Sequence, residues 1–159
     1  MKKKFAIVLF IITAFYVTNC SAQTIDIKAE KVKVKLVVDE FYKTFETKDM
    51  KLLSGIVAHD SKMVNYGMNA NLIFVGWNAL QDSLTKMLAV MEKTKMNIKN
   101  QVINVDPTGN FAWFSEMCDM DLEYAGHPMQ INGQRYTGVL EKRNGKWLIV
   151  QFHNSVTCQ

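Results

Sequence analysis

Apolar positions recur at spacings of three and four along residues 27–47, where Val34, Val37, Val38, Phe41, Tyr42 and Phe45 stand between lysines and acids. That period lays one apolar stripe along a helix, and it predicts an amphipathic helix over 27–47. Asp49 can accept from the free amides of a following first turn, which predicts a short second helix ending near Ala58. His59-Asp60-Ser61 closes it and leads into a short strand around 63–66. Gly67, Asn69, Asn71 and Gly76 punctuate 67–76 as a loop. Trp77, Leu80, Leu84, Leu88 and Met91 then line one side of a third helix over 77–92.

After Thr94 the pattern becomes that of strands. Residues 96–105 read as extended, and Asp106-Pro107-Thr108-Gly109 is a turn, with Pro presetting φ and Gly admitting positive φ. Residues 111–124 form a long strand, 125–128 a loop, and 129–143 with 146–156 a closing hairpin. Asn144-Gly145 between the last two is a strong hairpin signal. Helices first and strands after predict an α+β domain, with helices packed on one face of a mostly antiparallel sheet. There is no internal repeat or linker, so residues 23–159 read as one domain.

The first 22 residues are of a different kind. Lys2, Lys3 and Lys4 precede an apolar run over 5–17, and Cys20-Ser21-Ala22 supplies small residues before Gln23. This is the layout of a secretory signal, and the run is too short for the roughly 20 residues of a membrane span. Cleavage after Ala22 is the favoured reading. A lipoprotein acylated at Cys20 is the rival, with Asn19 an ill-suited residue before the cysteine. The chain is therefore expected in the periplasm or outside the cell.

The leader also changes the charge. Of the formal net +4, three charges belong to Lys2, Lys3 and Lys4, leaving +1 on the remainder. Such a chain has no basic face to neutralise phosphates, which argues against nucleic acid as a partner. Cys118 and Cys158 allow one disulfide at most, no Cys/His spacing suggests a structural metal, and no cofactor is implied.

Two segments carry a resemblance. Lys48-Asp49-Met50-Lys51-Leu52-Leu53 and the ending TxVLxxxxGKWxIVxFHxS, from Thr137 to Ser155, resemble the nuclear transport factor 2-like superfamily, and within it the SnoaL-like secreted domains. The match spans roughly residues 27–156. It implies a cone: a curved sheet wrapped around about three helices, a pocket between them, and commonly a homodimer across the sheet's outer face. The ending is also similar to the association domain of calcium/calmodulin-dependent kinase. That domain has arginines at the positions matching Cys118, Gly138 and Asn154, and their absence here argues against its anion-binding pocket.

Strand alternation then nominates residues. Over 111–124 the more apolar face carries Ala112, Phe114, Glu116, Cys118, Met120, Leu122 and Tyr124, and is placed inward. Glu116 is a lone acid on it. Desolvation would raise its pKa toward a range useful for proton transfer, unless it pairs with Arg135 or reaches solvent at the rim. Asp60 and Tyr66 stand where related enzymes place polar pocket groups, although Asp60 suits an ordinary loop aspartate. Tyr42, Trp77, Phe114, Cys118, Phe152 and Asn154 are the expected pocket contacts. His153 is assigned to the outer face with Trp147, Ile149 and Gln151.

The leading functional expectation is an exported binder of a small apolar or amphipathic molecule. An enzyme of the isomerase, cyclase or dehydratase kind is the alternative, with Glu116 or Asp60 as base and Tyr66 or Tyr42 as oxyanion donor. A dimeric interaction module without a ligand is the third, its outer face carrying Trp113, Met117, Trp147 and Ile149.

Overall fold

Asp26 opens the first helix by accepting from the amides of Lys28 and Ala29 at 2.9 and 3.1 Å. In the computed structural model, which describes residues 25–156, this helix is α1, Ile27–Thr47. Lys48 ends it in the left-handed region at φ 58°. Asp49 repeats the device one residue later, accepting from Lys51 and Leu52, and starts α2, Met50–Ile56. The remaining elements are β1 (Val64–Tyr66), β2 (Ile73–Val75), α3 (Trp77–Val90), β3 (Met91–Val105), β4 (Phe111–Tyr124), β5 (His127–Arg143) and β6 (Lys146–Ser155). The expected leader over 1–22, with Cys20, and Cys158 lie outside the described residues. Among those described, no helix is long and apolar enough to cross a membrane.

The strands form one six-stranded sheet in the order β2-β1-β6-β5-β4-β3. Every pairing is antiparallel except β1 with β6, so the sheet is mixed. It curves around the helices as a cone. α1 lies against the inward face, and Val34, Val38 and Phe41 are fully buried there with Leu140 and Ile149. Phe41 meets Phe152 edge-on, with ring centroids 4.8 Å apart. Each such buried side chain is worth about 1.5–3 kcal/mol against the exposed state. Glu30 ties the start of α1 to the closing strand: it accepts from Trp147 Nε1 at 2.7 Å and pairs with Lys142 at 2.8 Å.

The structure departs from the sequence reading in several places. β2 lies inside the expected 67–76 loop, because three residues between Asn71 and Gly76 suffice to pair with β1. β3 starts at Met91, five residues before the expected strand, directly off the end of α3. The expected 125–128 loop is only the two residues Ala125 and Gly126, both at positive φ, with Tyr124 facing His127.

Trp147 and Ile149 are not on the outer face. The Asn144-Gly145 turn is the simple two-residue kind pairing Arg143 with Lys146, but Val139 faces Gln151 while Leu140 faces Ile149. One extra residue therefore sits in β6, and a bulge of this kind flips the side-chain alternation beyond it. Trp147 and Ile149 consequently share the core with Phe152, while Gln151 and His153 point out.

Candidate functional site

Which side chains reach the interior is decided by strand parity, and parity changes wherever one strand carries an extra residue. The sheet has four such shifts. Two of them aim polar side chains inward. In β3 the shift between Lys99 and Val102 contains Asn100 at φ 52°, and beyond it Gln101 rather than Asn100 faces the interior. In β5 an extra residue lies opposite Asp119, where Gly133 adopts φ 67° and donates its amide to Asp119 Oδ1 at 2.9 Å. That bulge lets Ile131 and Gln134 face inward together, which a regular strand would forbid.

The inward face of β4 follows the expected alternation, with Phe114, Glu116, Cys118, Met120 and Leu122 all buried. Glu116 is 4 % exposed. One of its oxygens accepts from the Tyr42 hydroxyl and the other from Gln101 Nε2 at 2.8 Å, while Arg135 is exposed on β5. Burial raises the Glu116 pKa above the ordinary carboxylate range, the two hydrogen bonds opposing it. Burial also raises the Tyr42 phenol, reinforced by the Glu116 charge, and pushes the Cys118 thiol up to about 12.

Beside this cluster, between the sheet, α3 and the segment that carries β1 and β2, lies a cavity of about 610 Å³. Its walls are apolar: Phe45, Leu72, Phe74, Leu84, Leu122, Ile131 and Phe152 contribute, with five methionines, Met68, Met87, Met91, Met120 and Met129. Its polar contributors are few. Tyr136 donates its hydroxyl to Gln134 Oε1 at 3.1 Å, and Asn154 lines the cavity beside it. Asn65 Oδ1 and Gln134 Nε2 are buried and have no hydrogen-bond partner. The lining contains no Asp, Glu or His, and its single charged side chain, Lys86, is exposed on α3.

Of the residues nominated from sequence, Phe152 and Asn154 line this cavity. Tyr42, Glu116, Phe114 and Cys118 are buried beside it without lining it. Tyr136 bridges the two regions, since its ring borders the cavity and meets Tyr42 edge-on at 5.4 Å. Trp77 stacks on His59, centroids 4.2 Å apart, and does not reach the cavity. Asp60 accepts from the amides of Lys62 and Met63 and pairs with Arg143 at 2.5 Å; the guanidinium holds its carboxyl below the usual range. Tyr66 is half-exposed and meets His153 edge-on, where both line a shallow groove.

Sequence reasoning missed Asn65, Gln134 and Tyr136. A glycine before Gln134 in an otherwise continuous strand is the signal for a bulge, and a bulge would have turned Gln134 inward.

A curved six-stranded sheet wrapped around three helices, with an apolar cavity beside α3, defines the nuclear transport factor 2-like class of α+β domains. A model of the SnoaL-like domain matches residues 34–159, and the chain belongs to that family. No curated protein matches the sequence. Among solved structures, a nuclear transport factor 2-like protein from Salmonella enterica shares 17% identity at a TM-score of 0.73, with 83% of this chain and 94% of that one covered. A Streptomyces avermitilis protein of the same class, named as a proposed dehydratase, shares 15% at 0.71, covering 83% and 99%. A Xanthomonas campestris protein, named as a proposed calcium/calmodulin-dependent kinase II association domain, shares 21% at 0.66, covering 79% and 86%. At these identities the likeness shows the fold alone.

Proposed function

We propose that this chain is an exported binder of a small apolar or amphipathic molecule, working without turnover. The observation that carries the reading is the cavity: about 610 Å³, walled by aliphatic, aromatic and methionine side chains, with a few amides and two phenols. Methionine walls adapt to irregular shapes without a polar cost. General acid–base chemistry needs a titratable group within hydrogen-bond reach of the reacting atom, and no carboxylate or imidazole lines this cavity. Export rests on the lysine-led apolar leader and its small-residue cleavage pattern. Native mass spectrometry of the protein recovered from the periplasm tests the reading. A co-purified small molecule that is lost in Met87→Trp supports it; a protein that neither retains nor takes up any apolar probe refutes it.

An enzymatic reading has one observation in its favour, the buried Glu116 bonded to Tyr42 directly behind Tyr136. Similar folds include two named as proposed dehydratases. Under this reading Glu116 is the base, and turnover of an acidic-carbon ketone would be abolished by Glu116→Gln. Equal ligand binding by wild type and variant, with no turnover by either, favours the binder.

A homodimer is the assembly we propose. Val102, Phe111, Trp113, Met117 and Val139 are exposed on β3, β4 and β5, a broad apolar surface for a free monomer. Light scattering at a dimer mass, falling to a monomer in Trp113→Glu, is the expected result.

A further inference from the structure

We infer that the cavity takes an acidic amphiphile, its apolar body inside and its single anionic head held at the mouth by Lys86. This names the ligand class of the proposed binding site and rests on that reading of the cavity.

The lining divides into a buried part and an open part. Asn65, Gln134, Tyr136 and Phe152 are buried. Val90, Tyr124 and Met129 also line the cavity, yet they are 38, 41 and 44 % exposed and so mark its mouth. The Val90 carbonyl accepts from the Ala125 amide at 2.8 Å, which holds the end of α3 against the β4–β5 turn that Tyr124 and Met129 flank. Ser83, Lys86, Met87 and Val90 recur at helical spacing on the side of α3 that faces the cavity. Lys86 therefore stands one turn before Val90, where a lysine can lay its stem on an apolar wall and keep its ammonium in water.

α3 holds two charged side chains, Asp82 and Lys86. Both are exposed, but only Lys86 lines the cavity. Among the described residues Lys86 makes no ion pair. The acids near the mouth are engaged or turned away. Glu123 pairs with Lys93 at 2.6 Å, and Glu92 faces Glu123 at strand positions of opposite parity to Met91 and Tyr124. The mouth thus presents one free cation beside an apolar, methionine-rich interior whose lining holds no acid.

The position of that charge selects the head group. A charged head drawn inside would lose its water and meet no opposite charge. Held at the mouth, a carboxylate or sulfate keeps its water and pairs with Lys86, while an alkyl or aryl body displaces water from the walls. An ammonium head meets like charge there, and a neutral head gains nothing from it. The pairing is exposed, so it selects by sign and adds about three- to fivefold, the body supplying the rest of the affinity.

The test titrates the full chain calorimetrically with four probes of decyl-length body: decanoate, decyl sulfate, 1-decanol and decylammonium, at neutral pH and low salt. On wild type the two anions are expected to bind about tenfold more tightly than decylammonium. Lys86→Met should weaken both anions about three- to fivefold, leave decanol within about twofold and strengthen decylammonium. Lys86→Glu should reverse the order of anions and cation, and high salt should shrink all these differences. Met87→Trp, which narrows the cavity, should weaken all four probes alike. The wild-type series stands on its own whether or not a variant folds.

Equal binding of anions and decylammonium, tighter binding of decylammonium, or an anion preference that survives Lys86→Met would each overturn this inference while leaving the cavity as a binding site. Uptake of the neutral dye Nile red with none of the four probes bound would do the same. A chain that takes up neither the dye nor any probe overturns the binding reading itself, and this one with it.

Discussion

Gly138 lies in the middle of β5, and its φ is not positive, so space rather than conformation demands glycine there. A Cβ added at this position would meet Phe114 Cζ and the Gln151 carbonyl oxygen, both at 2.9 Å. Neither can retreat cheaply. Phe114 is 1 % exposed in the core, and the Gln151 oxygen belongs to the backbone of the paired strand β6. Replacing glycine by alanine normally gains about 0.4–1 kcal/mol by restricting the unfolded chain. Overpacking of a filled site costs about 1–3 kcal/mol. The second term is the larger, so Gly138→Ala is expected to destabilise the fold by about 1–2 kcal/mol. Urea unfolding should show a lower midpoint at unchanged slope, and thermal melting a drop of about 3–6 °C. Phe114→Leu in the alanine background should recover part of the loss, giving a favourable coupling in the double-mutant cycle. A neutral or stabilising Gly138→Ala would refute the claim that the Phe114 ring is pinned against the β5 backbone.

Three further outcomes follow from the buried polar groups and the bulges. Because burial raises the Glu116 pKa, the folded chain holds that proton more tightly than the unfolded one, so wild-type stability should fall as pH climbs above the ordinary carboxylate range; Glu116→Gln should lose this slope in denaturation curves taken across pH 4–8. Glu30 behaves oppositely: burial acts to raise its pKa, but hydrogen bonds from Lys142, Lys33 and Trp147 pull it down to about 2, so its contribution is present above pH 4.5 and lost as pH falls toward 2. Glu30→Ala should cost about 2 kcal/mol at pH 7 by orphaning Trp147 Nε1, and the difference from wild type should shrink in acid-side unfolding measurements. Asn100→Gly should leave stability nearly unchanged, whereas Asn100→Val should cost about 1–2 kcal/mol in urea unfolding, since a β-branched residue resists φ 52°.

The long elements could be read from the chain because their signals are local. Asp49 caps α2 where its side chain predicts a cap, and β4 runs over 111–124 with Glu116 on the buried face because no bulge interrupts that strand itself. The cavity was harder to see. Asn65 lies on a three-residue strand, too short to show an alternation, and β2 depends on β1 for its existence. Gln134, Trp147 and Ile149 face where they do because of one-residue insertions, and an insertion is visible only in the pairing with a neighbour. Tyr66 shows the same limit from the other side: its residue type suits a pocket, but its parity on β1 turns it out beside His153.

The bulge at Gly133 has a consequence for how this fold can change its ligand. Deleting that one residue would leave the hairpin intact and shorten no loop. It would bring Ile131 and Gln134 to a spacing of two, so that Met129, Ile131, Gln134 and Tyr136 all keep the inward face on a regular strand. What is lost is the local kink and the amide that Gly133 donates to Asp119 Oδ1. A one-residue change at this point therefore spares the wall of the cavity, whereas the same change elsewhere in β5 exchanges inside for outside along half the strand.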